Sequence, residues 1–342
     1  MKEKVFTYNN EIMKFDVAGK SLESEKFKII KFEERHFNSR LYLIFSKACN
    51  LNCYYCFQGN DSYDIKNNYK AQMNFEKYIN KLNEFEEVVF FGGEPLLIEN
   101  MEIIKKAFHY CNVPITIFTN GNFEANWYET LILHKEKINK MIITLDGPER
   151  IHNLRRFNSK ENSYRKIINN ISFLKSNNID VIIQVNIDKN NIFYVEELIN
   201  NILLFDCTII LNPVKYIYDP LNTEEVLKYY IKMKKNFTNS KLGLNNYTLH
   251  NLGMIINYGF YYVDRCRYFY QEVLDLNKEK IYYCPQNENL LLSNNITNNS
   301  CVLCQYHYLC SFRCLNENKP SECKRIIDKN IELILTNADL LF

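Results

Sequence analysis

Between residues 41 and 213 six short runs rich in apolar and β-branched side chains recur, at 41–45, 88–91, 115–118, 141–145, 181–187 and 208–211. They alternate with stretches of helical periodicity at 74–85, 101–111, 125–134, 163–176 and 195–203. Strands that are apolar along nearly their whole length bury both faces, as happens in a parallel sheet covered by helices. The repeated unit predicts an α/β fold, a partial (β/α)6 barrel of the TIM type, whose chemistry sits beyond the carboxyl ends of its strands. The informative residues are therefore those just past each strand.

Past the first strand stand Cys49, Cys53 and Cys56, with three residues and then two between them. Four thiolates saturate a zinc ion or a cubane iron–sulfur cluster. Three from one loop leave one iron of a 4Fe–4S cluster without a protein ligand, open to a chelating molecule such as the amino and carboxylate groups of a methionine. A structural zinc would need a fourth ligand from elsewhere. Phe91-Gly92-Gly93-Glu94-Pro95 ends the second strand. Two glycines let backbone approach a partner closely, and Glu94 can accept hydrogen bonds from an ammonium group; an ordinary strand-ending turn has the same look. Thr119-Asn120-Gly121 ends the third strand, Thr144-Leu145-Asp146-Gly147-Pro148 the fourth, and Val185-Asn186-Ile187-Asp188 the fifth. Asp146 and Gly147 also suit a plain turn, and Asn186 a capped strand end.

The cysteine loop, with the aromatic Tyr55 before its third cysteine, resembles the signature of the radical S-adenosylmethionine enzymes. The glycine pair and Glu94 resemble that family's Gly-Gly-Glu segment, which holds the methionyl amine of S-adenosylmethionine. Thr144–Pro148 followed by His152-Asn153-Leu154-Arg155-Arg156 is similar to the Ser-Leu-Asp-Gly-Pro and His-Asp-x-x-Arg segments of members that modify peptides and proteins. By that resemblance Thr144 faces the cofactor ribose, Asp146, His152 and Arg156 line or brace the cavity, Arg165 pairs with the methionyl carboxylate, and Asn186 contacts the cofactor. Relatives often carry Arg two residues before that Asn; here Gln184 stands there.

The chain has twelve cysteines, seven of them after Asp264. A secreted disulfide scaffold would be short and exported, so clustered cysteines in a chain of 342 residues point to metal. Cys301, Cys304, Cys310, Cys314 and Cys323, with Cys266 and Cys284 upstream, resemble the seven-cysteine SPASM extension, in which two further 4Fe–4S clusters form. Carried over by position, Cys266, Cys284 and Cys314 hold one, its fourth ligand being substrate, water or a residue such as Asp264. Cys301, Cys304, Cys310 and Cys323 hold the other. Glu279 stands where the pattern usually has Gly. A zinc ribbon is the other reading of such spacing. Cys111 and Cys207, in apolar stretches, read as small core residues.

The expected domains are a small β appendage over 1–38, the core barrel over 39–235, and linker helices with the SPASM domain and a terminal helix over 236–342. The appendage is shorter than the peptide-recognition domain of many peptide-modifying relatives. A net charge of +2 gives no general drive toward nucleic acid. No apolar run approaches the roughly 18 residues of a membrane helix, and no signal region opens the chain, so the expectation is a cytoplasmic protein without a membrane partner.

The resemblance implies a maturase that forms a thioether or carbon–carbon crosslink in a ribosomally made precursor peptide, using S-adenosylmethionine, three 4Fe–4S clusters and a reducing partner such as flavodoxin or ferredoxin. Alternatives are a formylglycine-forming anaerobic sulfatase maturase, a peptide epimerase, a small-molecule radical dehydrogenase, or a non-catalytic iron–sulfur electron carrier. Sulfatase maturases carry a proposed base, Asp, directly after the cysteine matching Cys284; Pro285 occupies that position and cannot act as a base. No catalytic residue is assigned by the sequence.

Overall fold

The computed structural model describes residues 39–58, 68–158, 162–214, 221–245, 249, 271–282, 329–334 and 336–341, and the strand backbone of 3–8, 11–16, 21–23 and 30–31. The seven cysteines after Asp264 lie outside the described residues.

Near the amino terminus β1 (Glu3–Tyr8) and β2 (Glu11–Asp16) pair antiparallel with Tyr8 opposite Glu11. Two shorter strands, β3 (Ser21–Glu23) and β4 (Ile30–Lys31), complete a four-stranded sheet.

The barrel follows the expected alternation. Its strands are β5 (Arg40–Ile44), β7 (Glu87–Phe91), β8 (Ile115–Thr119), β9 (Ile138–Thr144), β11 (Val181–Ile187) and β12 (Thr208–Pro213). They lie side by side in sequence order, every neighbouring pair parallel. The helices between them are α1 (Asn68–Tyr78), α2 (Met101–Tyr110), α3 (Trp127–Leu133), α4 (Glu149–Arg155), α5 (Ser163–Ser176) and α6 (Val195–Ile202). Val88, Phe90, Ile115, Ile117, Met141, Ile143, Val181 and Val185 are fully enclosed beside helical residues such as Ile104, Phe108, Ile171 and Leu198. This continuous apolar interior explains why the strands read as unbroken apolar runs.

Three strands extend the sheet beyond the six expected. After α7 (Thr223–Asn236), whose Asn222 and Glu225 form a capping box, β13 (Leu242–Leu244) adds parallel to β12. At the other edge β14 (Gln271–Asp275) runs parallel to β5 and turns back into the antiparallel β15 (Lys280–Tyr282). The sequence gives only weak strand signals here and leads one to expect metal, not apolar burial, as the organising force. Over 271–282 the structure shows apolar burial, with Val273, Leu274 and Leu276 fully enclosed. The β14–β15 turn is made with Glu279 at φ 50°, so the conformation a glycine would favour is adopted without one. Among the described residues no helix is long and apolar enough to cross a membrane.

Candidate active site

The loop bearing Cys49, Cys53 and Cys56 leaves the carboxyl end of β5 and is tied down on three sides. The first tie is the glycine pair. Gly93 N donates to Ser46 O (3.0 Å) and Glu94 N to Ala48 O (2.8 Å). A Cβ at Gly93 would lie 2.2 Å from Ala48 O and 2.3 Å from Lys47 O, and Gly92 sits at φ +127° with Ser46 O 2.6 Å from the place of its Cβ. The close backbone approach read from the sequence is thus made to the cysteine loop itself.

The second tie is a two-residue ribbon. Asn52–Cys53 (β6) pairs antiparallel with Arg156–Phe157 (β10), placing Arg156 opposite Cys53. The third is a pair of buried networks beneath the two tyrosines. Tyr55 donates to Asp146 and accepts from Arg156, while Asn186 Nδ2 reaches the same hydroxyl at 3.2 Å. Tyr54 donates to Asp188, and Arg155 joins Asp188, Tyr54 and the Asn186 carbonyl. Asp146 and Asp188 are fully enclosed, and Arg155 and Arg156 nearly so. Two anions and two cations at the ends of β9 and β11 so compensate one another where solvent cannot.

Glu94 is also fully enclosed. Its carboxylate accepts from Thr119 Oγ1 (2.7 Å), Leu96 N (2.9 Å) and Asn120 N (2.7 Å). Burial pushes its carboxyl above the usual range in spite of those donors. Burial likewise raises Asp146, against the opposing pull of Arg156 and Arg155. Thr144 lies buried at the end of β9, beside Gln184 of β11. Gln184, in the place where an Arg is common, donates to Asn186 Oδ1 (3.1 Å), as does Asn212 (2.7 Å). The structure thus gathers Glu94, Thr144, Asp146, Asn186 and the cysteine loop at one end of the sheet. Arg165 is not among them: its side chain is 77% exposed and bonded to Glu149 at 2.9 Å. His152 is enclosed, Nδ1 accepting from Asp146 N (3.3 Å). Cys111 and Cys207 are buried in the apolar core.

The residues fit an iron–sulfur cluster with an open corner. Cys49, Cys53 and Cys56 are free, and Cys56 is exposed. Burial pushes the Cys49 thiol up to about 12 and raises Cys53 too, so these sulfurs become good anions only when a metal takes the charge. Next to the loop, the Ser46 hydroxyl and the side-chain amide of Asn122 are buried with no hydrogen-bond partner among the described residues. Among those residues no three His, Cys, Asp or Glu side chains converge as ligands of one metal ion; a cluster, taking one thiolate per iron, does not ask them to.

The Radical SAM superfamily model matches residues 43–202, the stretch that carries the cysteine loop, the glycine pair with Glu94, and the Tyr–Asp–Arg networks. Residues 43–202 are a radical SAM domain. The radical SAM domain here is 31% identical over 180 residues to the radical SAM cyclopropyl synthase TigE of Paramaledivibacter caminithermalis, covering 46% of this chain and 37% of that protein. Over 173 residues it is 31% identical to a cysteine-type anaerobic sulfatase-maturating enzyme of Clostridium novyi, covering 45% and 44%. This chain therefore spans less than half the length of those two relatives. In fold it is similar to Streptococcus suis SuiB bound to the precursor peptide SuiA, with a TM-score of 0.61 at 15% identity over 83% of this chain and 74% of that one.

Sequence reasoning did not single out Tyr54, Arg155, Asp188, Asn50 or Asn122. Arg155 and Arg156 are neighbours in a segment that switches from helix to strand, so periodicity could not tell that both turn inward.

Proposed function

We propose that this chain is a radical SAM peptide maturase that abstracts hydrogen from a ribosomally made precursor and closes a thioether or carbon–carbon crosslink. The observation that carries the reading is a loop of three free cysteines clamped at the strand ends of a radical SAM domain. The fold likeness to a protein captured with its precursor peptide, and the peptide- or protein-modifying names of the relatives, support a peptide substrate. The seven cysteines after Asp264 support two auxiliary clusters, and Pro285 favours crosslinking over formylglycine formation.

On this reading Cys49, Cys53 and Cys56 hold the first 4Fe–4S cluster, and Gly92, Gly93, Glu94, Thr144 and Asn186 serve S-adenosylmethionine; Arg165, exposed and paired with Glu149, has no part in it. When bound, the cluster supplies the electron that splits S-adenosylmethionine to methionine and a 5′-deoxyadenosyl radical able to take hydrogen from an unactivated C–H bond. The chain's own part is to hold and to exclude. Gly93 and Glu94 fix the loop backbone, the Tyr–Asp–Arg networks fix Tyr54 and Tyr55 over the strand ends, and the enclosed Ile143, Leu145 and Ile187 keep water from beneath that end. Cys266, Cys284, Cys314, Cys301, Cys304, Cys310 and Cys323 hold the auxiliary clusters, and flavodoxin or ferredoxin supplies electrons.

The test is anaerobic reconstitution of the full chain, which should bind about twelve irons if all three clusters form and release 5′-deoxyadenosine on reduction with S-adenosylmethionine. Changing Cys49, Cys53 and Cys56 together to Ala should abolish release. Unimpaired release from that variant would sink the reading. Co-expression with a short cysteine- or aromatic-rich peptide encoded beside this chain should remove two hydrogens from the peptide, and an unchanged peptide mass would count against crosslinking.

A further inference from the structure

The three cysteine sulfurs do not meet the protein in the same way. Cys49 Sγ accepts from Leu51 N at 3.4 Å and from Asn120 Nδ2 at 3.5 Å. The first contact is made within the loop. The second comes from the end of β8, 71 residues away, and its direction is fixed. Asn120 Oδ1 accepts from Asn122 N (2.7 Å), and Asn120 Nδ2 also donates to Asn50 Oδ1 (2.7 Å). Asn50 in turn donates through Nδ2 to Asn122 O (2.7 Å). Turning the Asn120 amide over would set its NH2 against the Asn122 N–H and its oxygen against both Asn50 Oδ1 and the sulfur. One orientation alone satisfies every group, and it presents N–H to Cys49. The backbone beneath is held by Glu94, whose enclosed carboxylate takes Asn120 N and Thr119 Oγ1.

We propose that Asn120 is a positioning residue that sets the reduction potential of the cluster on the three-cysteine loop, by holding a fixed N–H against the Cys49 sulfur. This rests on the reading of that loop as a cluster site. A reduced cluster carries one more negative charge, so an N–H donor on a ligand sulfur stabilises it more than the oxidised form and raises the potential. A donor locked by Asn122, Asn50 and Glu94 does this without reorganising when the electron arrives.

The experiment is a redox titration followed by electron paramagnetic resonance on the reconstituted full chain, on Asn120→Ala and on Asn120→Asp. The latter keeps an acceptor for the Asn122 N–H while removing the donor. The relevant signal is the one altered by added S-adenosylmethionine. Both variants should retain iron while the reduction equilibrium of that cluster falls about tenfold, which is about 59 mV for one electron. As a comparison for a purely structural effect, Asn100→Ala removes bonds to the Glu94 and Pro95 carbonyls (3.2 and 3.1 Å) and should lower Tm without moving the potential. An unmoved potential in both Asn120 variants overturns the proposal while leaving the cluster site standing. Should both variants lose the cluster, wild-type protein labelled with 15N in asparagine side chains decides the matter by pulsed resonance. A nitrogen coupling to the reduced cluster supports the proposal, and its absence overturns it. A wild-type chain that binds no iron on this loop overturns both this and the cluster reading.

Discussion

Arg155 Nη1 lies 2.8 Å from both carboxylate oxygens of Asp188, a buried pair drawn from α4 and from the residue just past β11. The same guanidinium donates to the Tyr54 hydroxyl (2.8 Å) and to the Asn186 carbonyl (3.0 Å), so one cation joins the cysteine loop to two strand ends. Removing one partner of such a pair leaves an uncompensated buried charge. Arg155→Met should therefore cost about 3–5 kcal/mol in denaturant unfolding, and Arg155→Met with Asp188→Asn should recover a large part of that. Strict additivity of the two changes would show that the pair does not act as a unit.

Much of this was legible beforehand, for definable reasons. The six strands could be read because burial on both faces leaves each an unbroken apolar run. The three-cysteine loop and the Gly92-Gly93 turn could be located because local spacing marks them, and the structure sets the one against the other. What stayed hidden depends on distant contacts: Tyr54 with Asp188 joins residues 134 apart in sequence, and β14 finds β5 across most of the chain. Glu279 shows the limit of reading by residue type, since a carboxylate side chain adopts the φ expected of glycine. In the same way Glu94, chosen as a potential acceptor for an ammonium, proves to receive three donors from its own protein.

Gly93→Ala should separate loop geometry from cysteine chemistry. The added methyl would stand 2.2–2.3 Å from two backbone carbonyl oxygens, which cannot move aside as a flexible side chain does. Overpacking of this kind costs about 1–3 kcal/mol, and here the displaced atoms belong to Lys47 and Ala48, directly before the first cysteine. All three thiols remain, yet iron bound per chain after reconstitution should fall by about four, from about twelve toward about eight, with a lower Tm. Full iron loading would show that the Gly93–Ala48 contact does not set the loop.

The attachment of β14 to the barrel makes a different prediction. Leu274 is fully enclosed, and Asn74 Nδ2 donates to Leu276 O at 2.8 Å across 202 residues. Leu274→Ala should cost about 2–5 kcal/mol if residues 271–282 fold as part of the barrel. A loss below about 1 kcal/mol would mean that this hairpin is an independent attachment. Circular dichroism during urea unfolding reads the difference directly.

His152 supplies a pH dependence whose sign can be worked out. It is enclosed, its Nδ1 accepts from Asp146 N, and its Nε2 has no acceptor among the described residues, so the neutral ring carries its proton on Nε2. Burial first, then Arg156 and Arg155, hold its pKa well below the ordinary value. The unfolded chain takes up a proton near pH 6.5 that the folded chain refuses. Between the two pKa values the unfolded state holds more protons, so stability rises with pH up to about 6.5 and is level above it. Taking the protein from pH 7.5 to 5.5 should cost on the order of 1 kcal/mol from this residue. Asp146 and Glu94, raised by burial, act in the opposite sense, their contribution being lost as pH rises. They are present in both proteins when wild type is compared with His152→Asn, whose Oδ1 keeps an acceptor for Asp146 N. The variant should be less stable at neutral pH but lose less on acidification, so that its unfolding midpoints plotted against pH converge on those of wild type toward pH 5.5. Parallel curves would place the acid response on other groups.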